Sequence, residues 1–138
     1  MRMLNTMTAR LLVLLVLLSG TTHLVAAKGK NVQRIQFPPG RTTVVLKGVL
    51  RGTADMTYVL RARKGQTLTA HLVENKCCVA LLTKGPDNNS LRNADGTDAG
   101  EDFSLVLKQT GDYRLIVFPP DTADNKDIAR YTLEITIR

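Results

Sequence analysis

The sequence predicts an all-β fold, an antiparallel β-sandwich of about eight short strands. Three observations carry this. Apolar and polar residues alternate with period two in run after run, as in Phe103, Leu105 and Leu107 against Ser104, Val106 and Lys108; this is the strand period, because successive side chains point to opposite faces. Breaks rich in Gly, Pro, Asn and Asp separate the runs at short intervals. No segment after residue 27 has a helical period. Many short strands joined by turns bury their apolar faces as two packed sheets or a closed barrel.

Residues 1–27 are expected to be a cleaved signal peptide. Arg2 and Arg10 precede an apolar run at 11–18. That run rises only ~12 Å as a helix, too short for a hydrocarbon layer ~30 Å thick. Val25 and Ala27 suit a cleavage site before Lys28. The remaining residues, 28–138, form a single domain with 17 Lys and Arg against 12 Asp and Glu, a formal charge of +5. The expected location is periplasmic or secreted, with no integral membrane segment. The positive charge is expected chiefly to keep the protein soluble, with anionic partners such as cell-wall polymers or membrane surfaces as the alternative. Scattered basic residues with few aromatics between them argue against nucleic acid.

In chain order, the first predicted strand is 32–37, with Ile35 and Phe37 on one face and Pro38-Pro39 ending it. The second, 42–50, is rich in β-branched residues, and Gly48 is expected to mark a bulge. After a turn at 51–55, Met56, Tyr58, Leu60 and Ala62 line one face of a third strand. A turn at 63–66 leads to Leu68, Ala70 and Leu72 on the fourth. A break at 74–76 precedes 77–82, which is apolar on both faces and therefore expected at a sheet centre. Residues 85–100 form one long loop. Two alternating runs, 103–108 and 113–118, flank Gln109-Thr110-Gly111-Asp112 and read as a β-hairpin. A polar loop at 121–127 precedes the last strand, 129–137, with Tyr131, Leu133, Ile135 and Ile137 on one face. If every connection from the second strand onward reverses direction, turns 51–55, 74–76 and 109–112 share one end, and 63–66, 84–101 and 119–127 the other.

The chemistry on offer is thin. After residue 27 His71 is the only histidine, mid-strand and on the face opposite Leu68, Ala70 and Leu72. There is no GxSxG, HExxH or CxxC pattern, so neither a nucleophile elbow nor a zinc set is expected. Cys77 and Cys78 are adjacent. A bridge between neighbours is strained, because ordinary disulfides join Cα atoms ~4.4–6.8 Å apart and neighbours sit at ~3.8 Å. A core slot for one of them fits better, and an intermolecular bridge stays open in an oxidising compartment. The Asn- and Asp-rich loop fails as an EF-hand: Gly96 at the sixth position places Leu91, which cannot ligate, at the first. No enzyme activity, metal or cofactor is expected. Thr110-Gly111-Asp112-Tyr113 is the most distinctive tetrad, read as structural: the glycine turns, and the tyrosine packs and bonds nearby backbone. Arg41, Arg51, Arg61, Arg63, Arg92 and Arg114 are the exposed groups best able to fork onto a carboxylate.

Thr57-Tyr58-Val59-Leu60, Ala62-Arg63-Lys64-Gly65-Gln66, the tetrad with Arg114-Leu115, and Tyr131-Thr132-Leu133-Glu134-Ile135 together resemble the periplasmic inhibitors of goose-type lysozyme over nearly all of 28–138. They also resemble bacterial pre-peptidase C-terminal domains, which share a Lys-Gly-Gln turn and a Gly-x-Tyr hairpin. Where the inhibitors usually carry Ser-Gly-x-Tyr, Thr110 here keeps the hydroxyl. The resemblance implies a secreted protein that blocks a lysozyme's substrate cleft with loop residues. Arg51, Asp55, Tyr113 and Arg114 are the candidates it points to. The alternative it leaves is an accessory module binding peptidoglycan, another cell-wall glycan or an envelope protein.

Overall fold

The computed structural model describes residues 31–75 and 79–138. The expected signal peptide, its cleavage site, Cys77 and Cys78 lie outside the described residues. Eight strands are present: β1 (Asn31–Arg34), β2 (Thr43–Arg51), β3 (Met56–Ala62), β4 (Thr67–Asn75), β5 (Ala80–Lys84), β6 (Asp102–Val106), β7 (Gly111–Phe118) and β8 (Ile128–Ile137). They form two four-stranded sheets, sheet A in the order β1-β3-β7-β5 and sheet B in the order β2-β8-β4-β6. No helix occurs among the described residues, and so none that is long and apolar enough to cross a membrane.

The alternation seen in the sequence becomes the core. Tyr58, Leu60 and Ala62 from β3 and Tyr113, Leu115 and Val117 from β7 face Leu68, Ala70 and Leu72 from β4 and Tyr131, Leu133 and Ile135 from β8, all buried. Tyr58 and Tyr131 meet between the sheets, hydroxyl to hydroxyl at 2.9 Å. That bond satisfies two polar groups that would otherwise be desolvated without a partner. Burial and the bond to Tyr58 push the Tyr131 phenol well above the usual tyrosine range.

Five features differ from the sequence expectation. The first is Gly48. The β2–β8 register runs unbroken from Thr43↔Thr136 to Arg51↔Ile128, so there is no bulge. Gly48 instead faces Tyr131, and a Cβ there would sit 2.2 Å from the phenol ring. The second is the predicted hairpin of 103–118. β6 pairs with β4, whereas β7 pairs with β3 and β5, so the connection crosses from one sheet to the other. Period two identifies a strand and its buried face but not its neighbour.

The third difference is β5, expected at a sheet centre but found at the edge of sheet A. Its free side is covered by the long loop, where the Leu91 N–H donates to the Thr83 carbonyl at 2.8 Å. The fourth is β1, which pairs with β3 in parallel. Two successive crossings between sheets return the chain to sheet A in its original direction. The fifth follows from the long loop. Both β5 and β6 run toward the 63–66 end, so the loop carries the chain back along the sandwich instead of turning at one end. The Ala99 N–H donates to the Leu91 carbonyl and the Leu72 N–H to the Glu101 carbonyl, both at 2.8 Å, marking that return path. Turn 109–112 therefore lies beside 63–66, and loop 119–127 beside 51–55.

Candidate functional site

The tetrad belongs to a clasp that closes one end of the sandwich. The Lys64 N–H donates to Thr110 Oγ1 at 2.9 Å. The Gly65 N–H donates to the Leu107 carbonyl and the Leu107 N–H to the Gln66 carbonyl, both at 2.8 Å. Tyr113 is 1% exposed, and its hydroxyl donates to the Gln109 carbonyl at 2.7 Å. Burial raises its pKa above the ordinary value. Gly111 has φ +157°, and an added Cβ would lie 2.8 Å from the Pro86 ring. The Lys-Gly-Gln and Thr-Gly-x-Tyr motifs are thus two halves of one structural joint. Tyr113 holds the joint from inside, almost wholly buried.

Beside the clasp, the long loop and the end of β6 line an open pocket of about 550 Å³. Leu91, Leu105 and Leu107 line it, with Asp87, Asn89 and Lys108 among its polar groups. The Asp87 carboxylate accepts from the Asn89 N–H at 3.1 Å, from Asn89 Nδ2 at 2.9 Å and from Gln109 Nε2 at 3.1 Å. The Asn89 bonds, backbone first, hold Asp87 below the usual carboxylate range. Asp95 is lowered likewise by the Thr97 hydroxyl and N–H. These carboxylates serve their own loop, and no group of three or more metal-ligating side chains occurs among the described residues.

Arg51 and Asp55 sit at the other end. The Gly52 N–H donates to the Asp127 carbonyl at 2.9 Å, tying turn 51–55 to loop 119–127. Asn31 Nδ2 donates to the Asp55 carbonyl at 3.2 Å. Arg51 is exposed on the outer side of sheet B. Arg114 is exposed on the outer face of sheet A, in register with Val59, two strands' width of packed core away from Arg51's sheet. The structure therefore joins Arg51 with Asp55, buries Tyr113, and leaves Arg114 on a different face.

The company of Arg114 was not legible in the sequence. Register aligns Arg34 with Val59, Val59 with Arg114, and Arg114 with Lys84, a row crossing all four strands of sheet A. One residue pair further on, Arg61 aligns with Asp112. The Asp112 carboxylate accepts from Arg34 at 2.7 and 3.3 Å and lies 3.8 Å from Arg61. Its pKa is lowered chiefly by the Arg34 hydrogen bond, with the charges of Arg34, Arg61 and Arg114 adding. Parallel to the basic row runs a largely apolar one: Val32, Ile116 and Leu82, with the buried Thr57 between the first two, again in register. No local motif links positions 34, 61, 84 and 114; only the strand order does. On sheet B, His71 is exposed as expected, with Nδ1 against Asp102.

No family model and no curated protein matches this sequence. Solved structures do match. A periplasmic inhibitor of g-type lysozyme from Aeromonas hydrophila aligns with 78% of this chain and 96% of its own, at a TM-score of 0.66 and 19% identity. The fold is similar to that of a solved lysozyme inhibitor. A mutant of the Escherichia coli inhibitor of g-type lysozyme aligns with 80% of this chain and 99% of its own, at 0.59 and 23% identity. The pre-peptidase C-terminal domain of a Bacillus anthracis collagenase aligns with 80% and 97%, at 0.51 and 15% identity.

Proposed function

We propose that this protein is a periplasmic or secreted inhibitor of a g-type lysozyme, acting by obstruction and turning nothing over. The observation that supports it most is the whole-domain likeness to inhibitors from Aeromonas hydrophila and Escherichia coli, which extends over nearly their full length. The contact we propose is the end formed by turn 51–55 and loop 119–127. Its backbone is cross-braced by the Gly52–Asp127 bond, so little ordering is required on binding. Arg51 and Asp55 would meet the catalytic cleft, whose glutamic acid must stay protonated for glycoside hydrolysis. An arginine fork on that carboxyl, together with exclusion of the sugar, would stop turnover. Tyr113 supports the fold from the opposite end.

The test is hydrolysis of cell-wall substrate by a g-type lysozyme, with a chicken-type lysozyme as control. Micromolar protein is expected to slow the g-type enzyme. Arg51→Ala is expected to weaken inhibition by about thirtyfold, the loss of a central contact of ~2 kcal/mol. No slowing by the parent protein would remove the inhibitor reading. Retention of peptidoglycan alone in a pull-down would favour the accessory-module alternative.

A further inference from the structure

We propose that the outer face of sheet A is a docking surface for a linear carboxylated polysaccharide. The argument starts from charge. Arg34, Arg61 and Arg114 stand around one carboxylate, Asp112, and Lys84 lies beside Arg114 in register. Four cations against one anion leave a local surplus of three. Asp112 is taken by Arg34 and Arg61. Among the described residues, Arg114 and Lys84 have no ion-pair partner. Arg114 is exposed and Lys84 half-buried beside it, so their charged donors are the ones available to a ligand.

Geometry then selects the ligand. Arg34, Arg114 and Lys84 come from three different strands of one row. Neighbouring strands lie ~4.8 Å apart, so the row spans roughly 14 Å across the strands. Arg61, from the remaining strand, stands beside it in the next row. The two free cations, Arg114 and Lys84, stand on adjacent strands ~4.8 Å apart, about the length of one sugar in an extended chain, so successive carboxylates of such a chain can meet both. The neighbouring apolar row is part of the same fit. Val32 is 55% exposed there, with Ile116 and Leu82 partly exposed. Sugar rings have apolar C–H faces that rest on such a surface while their carboxylates reach sideways to guanidinium forks. An exposed sheet face, with basic and apolar tracks side by side across its strands, suits an extended chain.

The experiment is calorimetric titration of the purified protein with a short oligogalacturonate, repeated at raised salt. Binding is expected, and salt is expected to weaken it, because the contacts are exposed charges. The double variant Arg114→Ala, Lys84→Ala is expected to lose about tenfold or more in affinity, since each removes a hydrogen bond between charged groups. Neither side chain is core, and the circular dichroism and melting temperature of the variant confirm that it is folded. Lys47→Ala, on the outer side of sheet B, is expected to bind as the parent does. The proposal is overturned by absence of binding, by unchanged affinity in the double variant, or by equal binding of neutral dextran. Tighter binding of polyglutamate or duplex DNA than of the sugar also overturns it, in favour of an acidic protein or a nucleic acid. No lysozyme is present in the titration, so its outcome is independent of the inhibitory reading.

Discussion

Gly48 has no room for a side chain, because the Tyr131 phenol occupies the space a Cβ would need. Gly48→Ala must displace that ring and with it the 2.9 Å bond to Tyr58. A loss of ~1–3 kcal/mol is expected, the usual range for overpacking, read as a lower urea midpoint with unchanged slope. Thr83 offers the opposite case. It is fully buried on β5, and its hydroxyl has no hydrogen-bond partner among the described residues. Thr83→Val keeps the shape and removes the unsatisfied group. It is expected to raise stability by about 1 kcal/mol, and a lower melting temperature would show that the hydroxyl is satisfied after all. Tyr113→Ala removes an aromatic side chain from the core and should lose ~3–5 kcal/mol. A variant that melts like the parent yet loses binding would reverse its structural assignment.

At the scale of elements, the clasp explains why two motifs separated by more than forty residues read as a set. Thr110 lies 46 positions from Lys64, yet its hydroxyl accepts the Lys64 N–H. The bond pins the 63–66 turn of the β3–β4 connection to the β6–β7 connection, both of which cross between the sheets. Thr110→Val leaves that N–H without its partner and is expected to lose about 1 kcal/mol, whereas Thr110→Ser keeps the acceptor and should be close to the parent. Hydrogen exchange at the Lys64 amide measures the same bond directly: faster in Thr110→Val, unchanged in Thr110→Ser.

For the whole molecule, the perturbed groups bracket a pH range. Asp112, Asp87 and Asp95 are all lowered, by hydrogen bonds that favour the ionised form. A carboxylate lowered in the folded state contributes stability above about pH 4, and that contribution fades as pH falls through its folded value. Tyr131 and Tyr113 are raised by burial. Their contribution is whole below about pH 10 and fades as pH rises through their folded values. Urea midpoints against pH should therefore form a plateau with an acid and an alkaline shoulder. In Asp112→Asn the acid shoulder should flatten, and an unaltered shoulder would show that the Arg34–Asp112 pair contributes nothing measurable in water.

The sequence by itself determined that the chain is built of strands and which face of most of them is buried, although β1 ends at Arg34 and β5 runs on to Lys84, where 37 and 82 were expected. Tyr58, Leu60 and Leu115 are core because alternation with polar neighbours is a local property of an extended chain, and one buried face permits no other phase. The structural role of Tyr113 was legible for the same reason. Pairing was not. The runs at 103–108 and 113–118 alternate identically whether they form a hairpin or cross between sheets. A 16-residue loop at 85–100 has no periodicity to say whether it turns back or runs the length of the sandwich. That choice moved the tetrad away from Arg51 and Asp55. It also placed Arg114 in a row with Arg34 and Lys84. Side-chain alternation is set by neighbours along the chain, whereas strand order is set by which surfaces exclude water together, and only the folded tertiary structure decides that.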